Sequence, residues 1–290
     1  LSSSSAASDV YKRQPRRHDV PISIPMSSSQ LRLHNAIMSE EKLRLEELEH
    51  AGQRIQLRDL KKCYMHLLQL ASNPSLLSES LDFAHPELLA SILEEGDSPK
   101  IKWACDRARK LASEKKKVII WTSFVKNVEI IAERLQDLGA VFIHGGVDAG
   151  DEEDQDSREG KIRQFKENDE CYVMVANPAA AGEGISLHKV CLNAIYVDRT
   201  FNAAHYLQSI DRIHRLGLEP HEEPLVEILI TNGSIDEDVH SRLLSKVEVM
   251  YTALNDEKIG TNPIEYDEFQ DYSEDEMDGL LLIKSIKGAN

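Results

Sequence analysis

The sequence predicts an α/β domain with a mainly parallel sheet, preceded by a helical region. Three observations carry that prediction. Short apolar runs of buried-strand type recur between segments with helical spacing. Each run ends in small or polar residues such as His144-Gly145-Gly146 or Asn177-Pro178. Upstream of them, leucines fall at three- and four-residue steps instead.

Residues 1–20 open with Leu-Ser-Ser-Ser-Ser-Ala-Ala-Ser, low-complexity and without an initiator Met. They read as a disordered leader or an artefact, and the chain as a fragment of something longer. Val20-Pro21-Ile22-Ser23-Ile24-Pro25 reads as a short extended piece. From Ser28 to Leu77 the pattern is helical, with Leu57, Leu60, Tyr64, Leu67 and Leu68 on one face. Asn73-Pro74 stops it. A shorter helix is expected over Pro86–Leu93, and Gly96-Asp97-Ser98-Pro99 breaks the chain.

An alternation follows. Lys100–Ser113 reads as an amphipathic helix and Val118-Ile119-Ile120-Trp121 as a strand. Val128, Ile131, Leu135 and Leu138 mark a helix that Gly139 caps. Val141-Phe142-Ile143 is a strand, and Arg158–Lys166 a helix. Tyr172–Ala176, Ala194–Val197 and Leu225–Ile230 are further strands. Ser234-x-x-Glu237 reads as a capping box for a helix carrying Val239, Leu243, Val247 and Met250. In a parallel sheet, ligands sit outside the carboxyl ends of the strands. The loops at His144–Gly146, Asn177–Leu187 and Asp198–Asn202 are therefore expected along one edge. Residues 265–278 hold eight acidic side chains and no Lys or Arg, which reads as a disordered or interaction tail.

Composition narrows the function. At 290 residues and 41% hydrophobic, the chain can bury a sizeable core. A net charge of −16 argues against a protein that coats nucleic acid non-specifically, though not against a local basic face. The four cysteines, Cys63, Cys105, Cys171 and Cys191, form no C-x-x-C pair. That argues against structural zinc or a disulfide framework and fits a reducing, cytoplasmic setting. No apolar run approaches about 18 residues, so no membrane span is expected.

The chemistry concentrates in Gln208-Ser209-Ile210-Asp211-Arg212-Ile213-His214-Arg215-Leu216-Gly217. On a helix at about 100° per residue, Gln208, Asp211, Arg212 and Arg215 share one face. Two guanidinium groups on one face repel each other unless an anion sits between them or a carboxylate shields them. Planar, permanently charged guanidinium suits a polyphosphate. A solvated face with local ion pairs has the same pattern. The loop Asn177-Pro178-Ala179-Ala180-Ala181-Gly182-Glu183-Gly184-Ile185-Ser186-Leu187 has the small residues that let backbone approach an anion. A plain strand-to-helix turn has them too. His144-Gly145-Gly146 reads first as a flexible turn. The acidic run Asp151–Asp156 lacks the spacing of a calcium loop. No G-x-x-x-x-G-K-[ST] occurs, and Asp267-Glu268-Phe269-Gln270 is only a superficial match to an acidic Mg²⁺ motif.

In this order, the pieces resemble the second RecA-like lobe of superfamily-two helicases, most closely the Swi/Snf-like ATP-dependent DNA translocases. Ile119–Phe124 resembles motif IV, Asn177–Leu187 motif V, and Gln208–Gly217 motif VI. Tyr196-x-Asp198-x-x-Phe201-Asn202 resembles the loop before motif VI. Leu60–Leu77 resembles the segment that joins two lobes. The resemblance covers residues 20–252. It implies a RecA-like three-layer sandwich, with an inter-lobe helical region at 21–97, the lobe at 98–254 and an acidic tail at 255–290.

It also implies roles. Arg212 and Arg215 would be arginine fingers, with Gln208 orienting the nucleotide. Gly182, Gly184, Ser186 and Asp211 would lie on the nucleotide side. His144, Gly145, Asn177 and Asn202 would touch nucleic acid. ATP is the implied cofactor, with Mg²⁺ held mainly by a first lobe. The implied partners are that N-terminal ATPase lobe and DNA, double-stranded rather than single-stranded, with no membrane.

Several positions depart from the family pattern. Pro178 stands where a hydroxyl is usual, Ser123 for a common Gln, Phe201 for Trp and Leu218 for Gln. These imply a divergent prokaryotic or phage branch. Two other readings use the same residues. One is a non-catalytic nucleic-acid or partner-binding module that keeps the lobe. The other is a Rossmann-type cofactor domain, which lacks its third Gly at Leu187.

Overall fold

The computed structural model describes residues 16–51, 57–79, 85–180, 185–215, 218–219, 221–255 and 274–288. Six strands form one sheet: β1 (His18–Ile24), β2 (Val118–Trp121), β3 (Val141–Ile143), β4 (Val173–Ala176), β5 (Asn193–Tyr196) and β6 (Leu225–Thr231). Their order is β1-β6-β5-β2-β4-β3. Every pairing is parallel. The described helices are α1 (Ser28–His50), α2 (Leu57–Ser72), α3 (Pro86–Glu95), α4 (Pro99–Ser113), α5 (Val125–Arg134), α6 (Arg158–Glu167), α7 (Ala203–Ile210), α8 (Ile235–Asn255) and α9 (Glu274–Gly288).

Alternation along the strands divides the core into two layers, because successive side chains face opposite sides. Val118, Ile120, Val173, Val175 and Ile195 pack with Ile101, Ala108 and Leu111 of α4 and Val128 and Ile131 of α5. Ile119, Trp121, Met174, Ala176 and Tyr196 face the other way, toward Phe165 of α6, Tyr206 of α7 and Leu243 of α8. The central strands β2 and β4 are buried throughout. Such strands read as continuous apolar runs, which is why they are legible in sequence. This is the three-layer α/β sandwich the sequence predicts.

The structure corrects the sequence reading at five places. The extended piece at residue 20 is the outer strand of the sheet and begins at His18, inside the expected leader. Pro21 is tolerated there because β1 pairs on one side only. The long helix expected over Ser28–Leu77 is two helices, α1 and α2, followed by a 3₁₀ turn at Pro74–Glu79. Residues 52–56 between them lie outside the described residues.

The third correction concerns Ser234. Its Oγ accepts from Asp236 N at 3.3 Å, while Glu237 reaches back to Gly233 N at 2.9 Å. The cap is therefore offset by one residue from the expected box. Fourth, the tail is not wholly without structure, for residues 274–288 form α9. Its Leu282 and Ile286 are both buried, one helical turn apart, and it packs on α1, α2 and α8. The remainder of the acidic tail, with Asp267-Glu268-Phe269-Gln270, lies outside the described residues. Fifth, the helix expected through Gly217 ends at Ile210.

Gly139 does cap the segment after α5, at φ 65°. A Cβ there would stand 2.6 Å from the Glu170 carbonyl.

Candidate functional site

Loops leaving neighbouring strands in opposite directions open a crevice at the carboxyl edge of a parallel sheet. Here β2 leads toward β3 on one side, and β5 leads toward β6 on the other. Between their ends lies a cleft of about 180 Å³, lined by Ser123, Asn177, Asp198, Arg199, Asn202 and His205 among others.

A buried carboxylate builds this edge. Asp198 is 2% exposed. Its Oδ2 accepts from Thr122 Oγ1 at 2.6 Å and from Ser72 Oγ at 2.6 Å. Its Oδ1 accepts from Ser123 N at 2.6 Å. Asn127 Nδ2 donates to Ser72 Oγ at 2.9 Å, and Asn73 Nδ2 donates to Asn127 Oδ1 at 2.9 Å. The end of α2 is thereby tied to the ends of β2 and β5. Asn177 extends the tie, donating through Nδ2 to Ser123 O at 2.8 Å and accepting from Ala179 N at 2.9 Å.

Arg199 lies 7% exposed behind the same cleft. Its Nη2 lies 2.8 Å from His240 Nδ1, and its guanidinium stands 5.4 Å from the Tyr206 ring centroid. Arginine can only donate, so His240 Nδ1 is the acceptor and its imidazole is neutral. Burial, then the Arg199 charge, push the His240 pKa below its ordinary value, with Asp19 opposing. Sequence reasoning missed Arg199. A cation three residues past a buried strand, on the ligand edge, is the signal that finds it. The Ser72 and Asn127 contacts have no such signal, because each partner is remote in sequence.

A second group forms where α7 ends. Past Ile210 the chain turns tightly, with Ile213 N and His214 N both donating to Ile210 O. The Arg212 carbonyl is taken by Leu187 N at 2.8 Å, and Arg212 Nη1 donates to Ile185 O at 3.1 Å. The helix ends because that carbonyl is drawn to another segment. Gln208, Asp211, Arg212 and Arg215 are thus not one helical face: Gln208 is on α7, and the other three lie on the turn after it.

Arg212 is half-buried and Arg215 exposed. Burial lowers the Arg212 pKa, Asp211 opposes, and Arg215 and Arg158 lower it further. Crowding by the surrounding chain raises the Asp211 carboxyl above its ordinary value, against the pull of Arg212. An excess of guanidinium over carboxylate at one strand edge fits a polyphosphate. Ser186 joins this group by sequence, but its Oγ pairs with His188 Nδ1 at 2.9 Å. Gly182, Gly184 and Leu216-Gly217 lie outside the described residues.

Of the residues expected on nucleic acid, Asn177 and Asn202 meet in the cleft. Asn202 also caps α7, accepting from His205 N at 3.0 Å. His144 and Gly145 are not among its lining residues. The His144 ring folds back on its own loop, accepting from Gly146 N at 3.1 Å and stacking on Phe142 at 5.6 Å.

With this geometry in view, the relatives are informative. Residues 100–217 match the family described as the helicase conserved C-terminal domain. The crystal structure of the C-terminal part of the Fun30 ATPase domain aligns with a TM-score of 0.61 at 17% identity, covering 95% of this chain and 99% of that one. The Sulfolobus solfataricus SWI2/SNF2 ATPase core in complex with double-stranded DNA aligns at 0.59 and 19% identity, covering 83% and 46%. The DNA excision repair protein ERCC-6-like of Bos taurus is 24% identical over 213 residues, 73% of this chain and 16% of that protein. The chromatin-remodeling ATPase INO80 of Gibberella zeae is 27% identical over 155 residues, 53% of this chain and 8% of that protein.

Residues 100–217 therefore resemble a helicase conserved C-terminal domain, and the fold is shared with the C-terminal part of the Fun30 ATPase domain. Among the proteins the chain resembles are a SWI2/SNF2 ATPase and a chromatin-remodeling ATPase. It spans only a small part of the curated relatives' length. Both of those named here are eukaryotic, so they lend no support to a prokaryotic or phage branch.

Asp198→Ala is expected to destabilise the chain by about 3–5 kcal/mol, because it strands two buried hydroxyls and a backbone N–H. Urea unfolding measures this, and a loss under about 1 kcal/mol would contradict the bonding described. The His240 shift gives a pH dependence. Its folded pKa is depressed, so the stability it contributes is present above the ordinary value of 6.5 and is lost as pH falls below it. Melting curves between neutral pH and mild acid are expected to show that loss, and His240→Gln to shrink it.

Proposed function

We propose that this lobe works in an ATP-driven DNA translocase, supplying the arginines that steady the transferring phosphoryl group and part of the nucleic-acid track. The observation that carries this reading is the strap between Ile185–Leu187 and Arg212, which holds Arg212 on the strand-end edge beside Arg215. When bound, ATP supplies the phosphoanhydride whose cleavage drives movement, with Mg²⁺ held mainly by the other lobe.

This chain's own residues do three things in that scheme. Arg212, half-buried and fixed through Nη1 to the Ile185 carbonyl, keeps a permanent charge in a set position. Arg215, exposed, offers a second charge that reaches the phosphates when the lobes close. The cleft at Asn177, Arg199 and Asn202 offers donors to a nucleic-acid backbone. Double-stranded DNA is the favoured partner, since the Sulfolobus core was solved with it.

A reducing, cytoplasmic setting belongs to the same proposal. All four cysteines are buried and free, and burial pushes Cys63 and Cys191 up to about 12 and Cys105 and Cys171 up to about 11. Such thiols are unreactive.

The 290-residue sequence contains no phosphate-cradling P-loop. On its own, the chain is therefore expected to hydrolyse no ATP above background with duplex DNA present. Turnover at helicase rates in a phosphate-release assay would refute that. In a protein that also carries the P-loop lobe, Arg215→Ala is expected to lower kcat by about 10²-fold or more, with DNA affinity nearly unchanged. Near-normal turnover would remove Arg215 from the proposed role.

A further inference from the structure

Asn232-Gly233 is the one Asn-Gly pair in the 290-residue sequence. Such a pair has a chemistry of its own. The backbone nitrogen after an asparagine can attack that asparagine's side-chain amide, and a following glycine leaves the approach open because it has no Cβ. The fold puts the pair at the turn between β6 and α8, with both residues exposed. Gly233 has φ 64°, and a Cβ there would meet nothing within 4 Å. Water reaches both residues, and packing does not crowd them.

Two hydrogen bonds fall on the reacting atoms themselves. Gly233 N, the nucleophile, donates to Glu237 Oε1 at 2.9 Å. Asn232 Oδ1, on the carbon to be attacked, accepts from Ser23 Oγ at 2.5 Å. The first bond sets a carboxylate where the amide proton has to go. The second sets a hydroxyl donor where negative charge develops. The two partners come from distant parts of the chain: Ser23 from β1 and Glu237 from the first turn of α8. Asn232 N donates to Ile24 O at 3.0 Å, which seats the turn against the end of β1 and keeps Ser23 in reach.

We propose that Asn232 is a self-modification site, converted through a succinimide to aspartate and isoaspartate with Glu237 and Ser23 assisting. The bond between Gly233 N and Asn232 Cγ forms as Gly233 N gives its proton to Glu237. The Ser23 hydroxyl holds the charge on the tetrahedral oxygen. The Cγ–Nδ2 bond then breaks, and Glu237 returns the proton so that ammonia leaves. Water opens the five-membered imide at either of its two C–N bonds, giving aspartate by one route and isoaspartate by the other. Both products add a negative charge next to Asp236, Glu237 and Asp238 at the start of α8. Isoaspartate also lengthens the main chain between the Ile24 contact and that helix. Neither Ser23 nor Glu237 takes part in the ATP-driven scheme, and the proposal does not rest on it.

The test is incubation of the purified chain at neutral pH and 37 °C, followed by proteolytic peptide mapping in a mass spectrometer. The mass gain of an amide-to-acid conversion is expected at position 232, divided between two products that elute separately. Glu237→Gln and Ser23→Ala are each expected to slow the conversion by about threefold or more in the folded chain. In guanidinium chloride both variants are expected to convert at the wild-type rate, because the assisting bonds exist only in the fold.

Absence of conversion at position 232 would overturn the proposal. So would a folded Glu237→Gln or Ser23→Ala chain that converts as fast as the wild type. Equal slowing of the variants in guanidinium chloride would also overturn it, since the effect would then belong to local sequence and not to the arrangement at this turn.

Discussion

A buried carboxylate with no cation at hydrogen-bonding distance among the described residues organises the ligand edge of this lobe. Asp198 survives at 2% exposure because three donors, from Ser72, Thr122 and Ser123, surround its two oxygens. An ionised group removed from water is costly unless its lone pairs are satisfied, and here the satisfaction comes from separate parts of the chain. Ser72 belongs to α2, and Thr122 and Ser123 follow β2. The same bond set therefore fixes how the helical region sits on the sheet and how the β2 loop is aimed. Ser123 then accepts from Asn177, so the loop after β4 inherits its position from the same carboxylate. Thr231 Oγ1 adds a further tie, to Ala71 O at 2.7 Å, and Ser98 Oγ another, to Ser72 O at 3.0 Å.

Much of this fold is written locally. β2 and β4 are apolar because both of their faces are covered, so their runs need no long-range knowledge to be recognised. Ser98 before Pro99 and Ser157 before Arg158 signal their helix starts through side chains that accept from Ile101 N and Gly160 N. What was not legible depends on distant partners. β1 reads only as a short extended piece from Val20, and it is a sheet strand from His18 because β6 pairs with it. The helix through Gln208 reads as continuing because Asp211–Arg215 keep helical spacing. It stops because Leu187, well upstream, takes the Arg212 carbonyl. The acid count of the tail obscured Leu282 and Ile286, whose burial depends on α1, α2 and α8 being present. Lys100 and Asp236, 2.5 Å apart and both buried, belong to the same class: each is an ordinary charged residue until the fold joins them.

The site was legible as residue types and only partly as geometry. Its residues form two groups joined by one loop. That loop starts at Asn177, bonded into the Asp198 network, and ends at Leu187, bonded to Arg212. A change at Asn177 therefore has a covalent and hydrogen-bonded route to Arg212. Such a contiguous path is a physical requirement for coupling two sites, though not by itself proof of it. His144 illustrates the opposite case. It lies at a strand end, as expected, but its ring is occupied by Phe142 and Gly146.

Arginine rather than lysine at position 212 follows from the surroundings. Burial disfavours charge there, and Arg215 and Arg158 add repulsion that Asp211 opposes. A lysine under those influences would hold its charge less securely, since its ordinary pKa of about 10.4 is lower. A guanidinium starts from a much higher value and stays charged through the same penalties. It also has several N–H groups, so one can be spent on the Ile185 carbonyl while others remain to face an anion. The fold thus stores unfavourable charge density at the carboxyl edge of the sheet, and in the proposed role that density would become favourable beside a phosphate. In a protein of net charge −16, the local excess is also what gives an anion a reason to choose this edge over the rest of the surface.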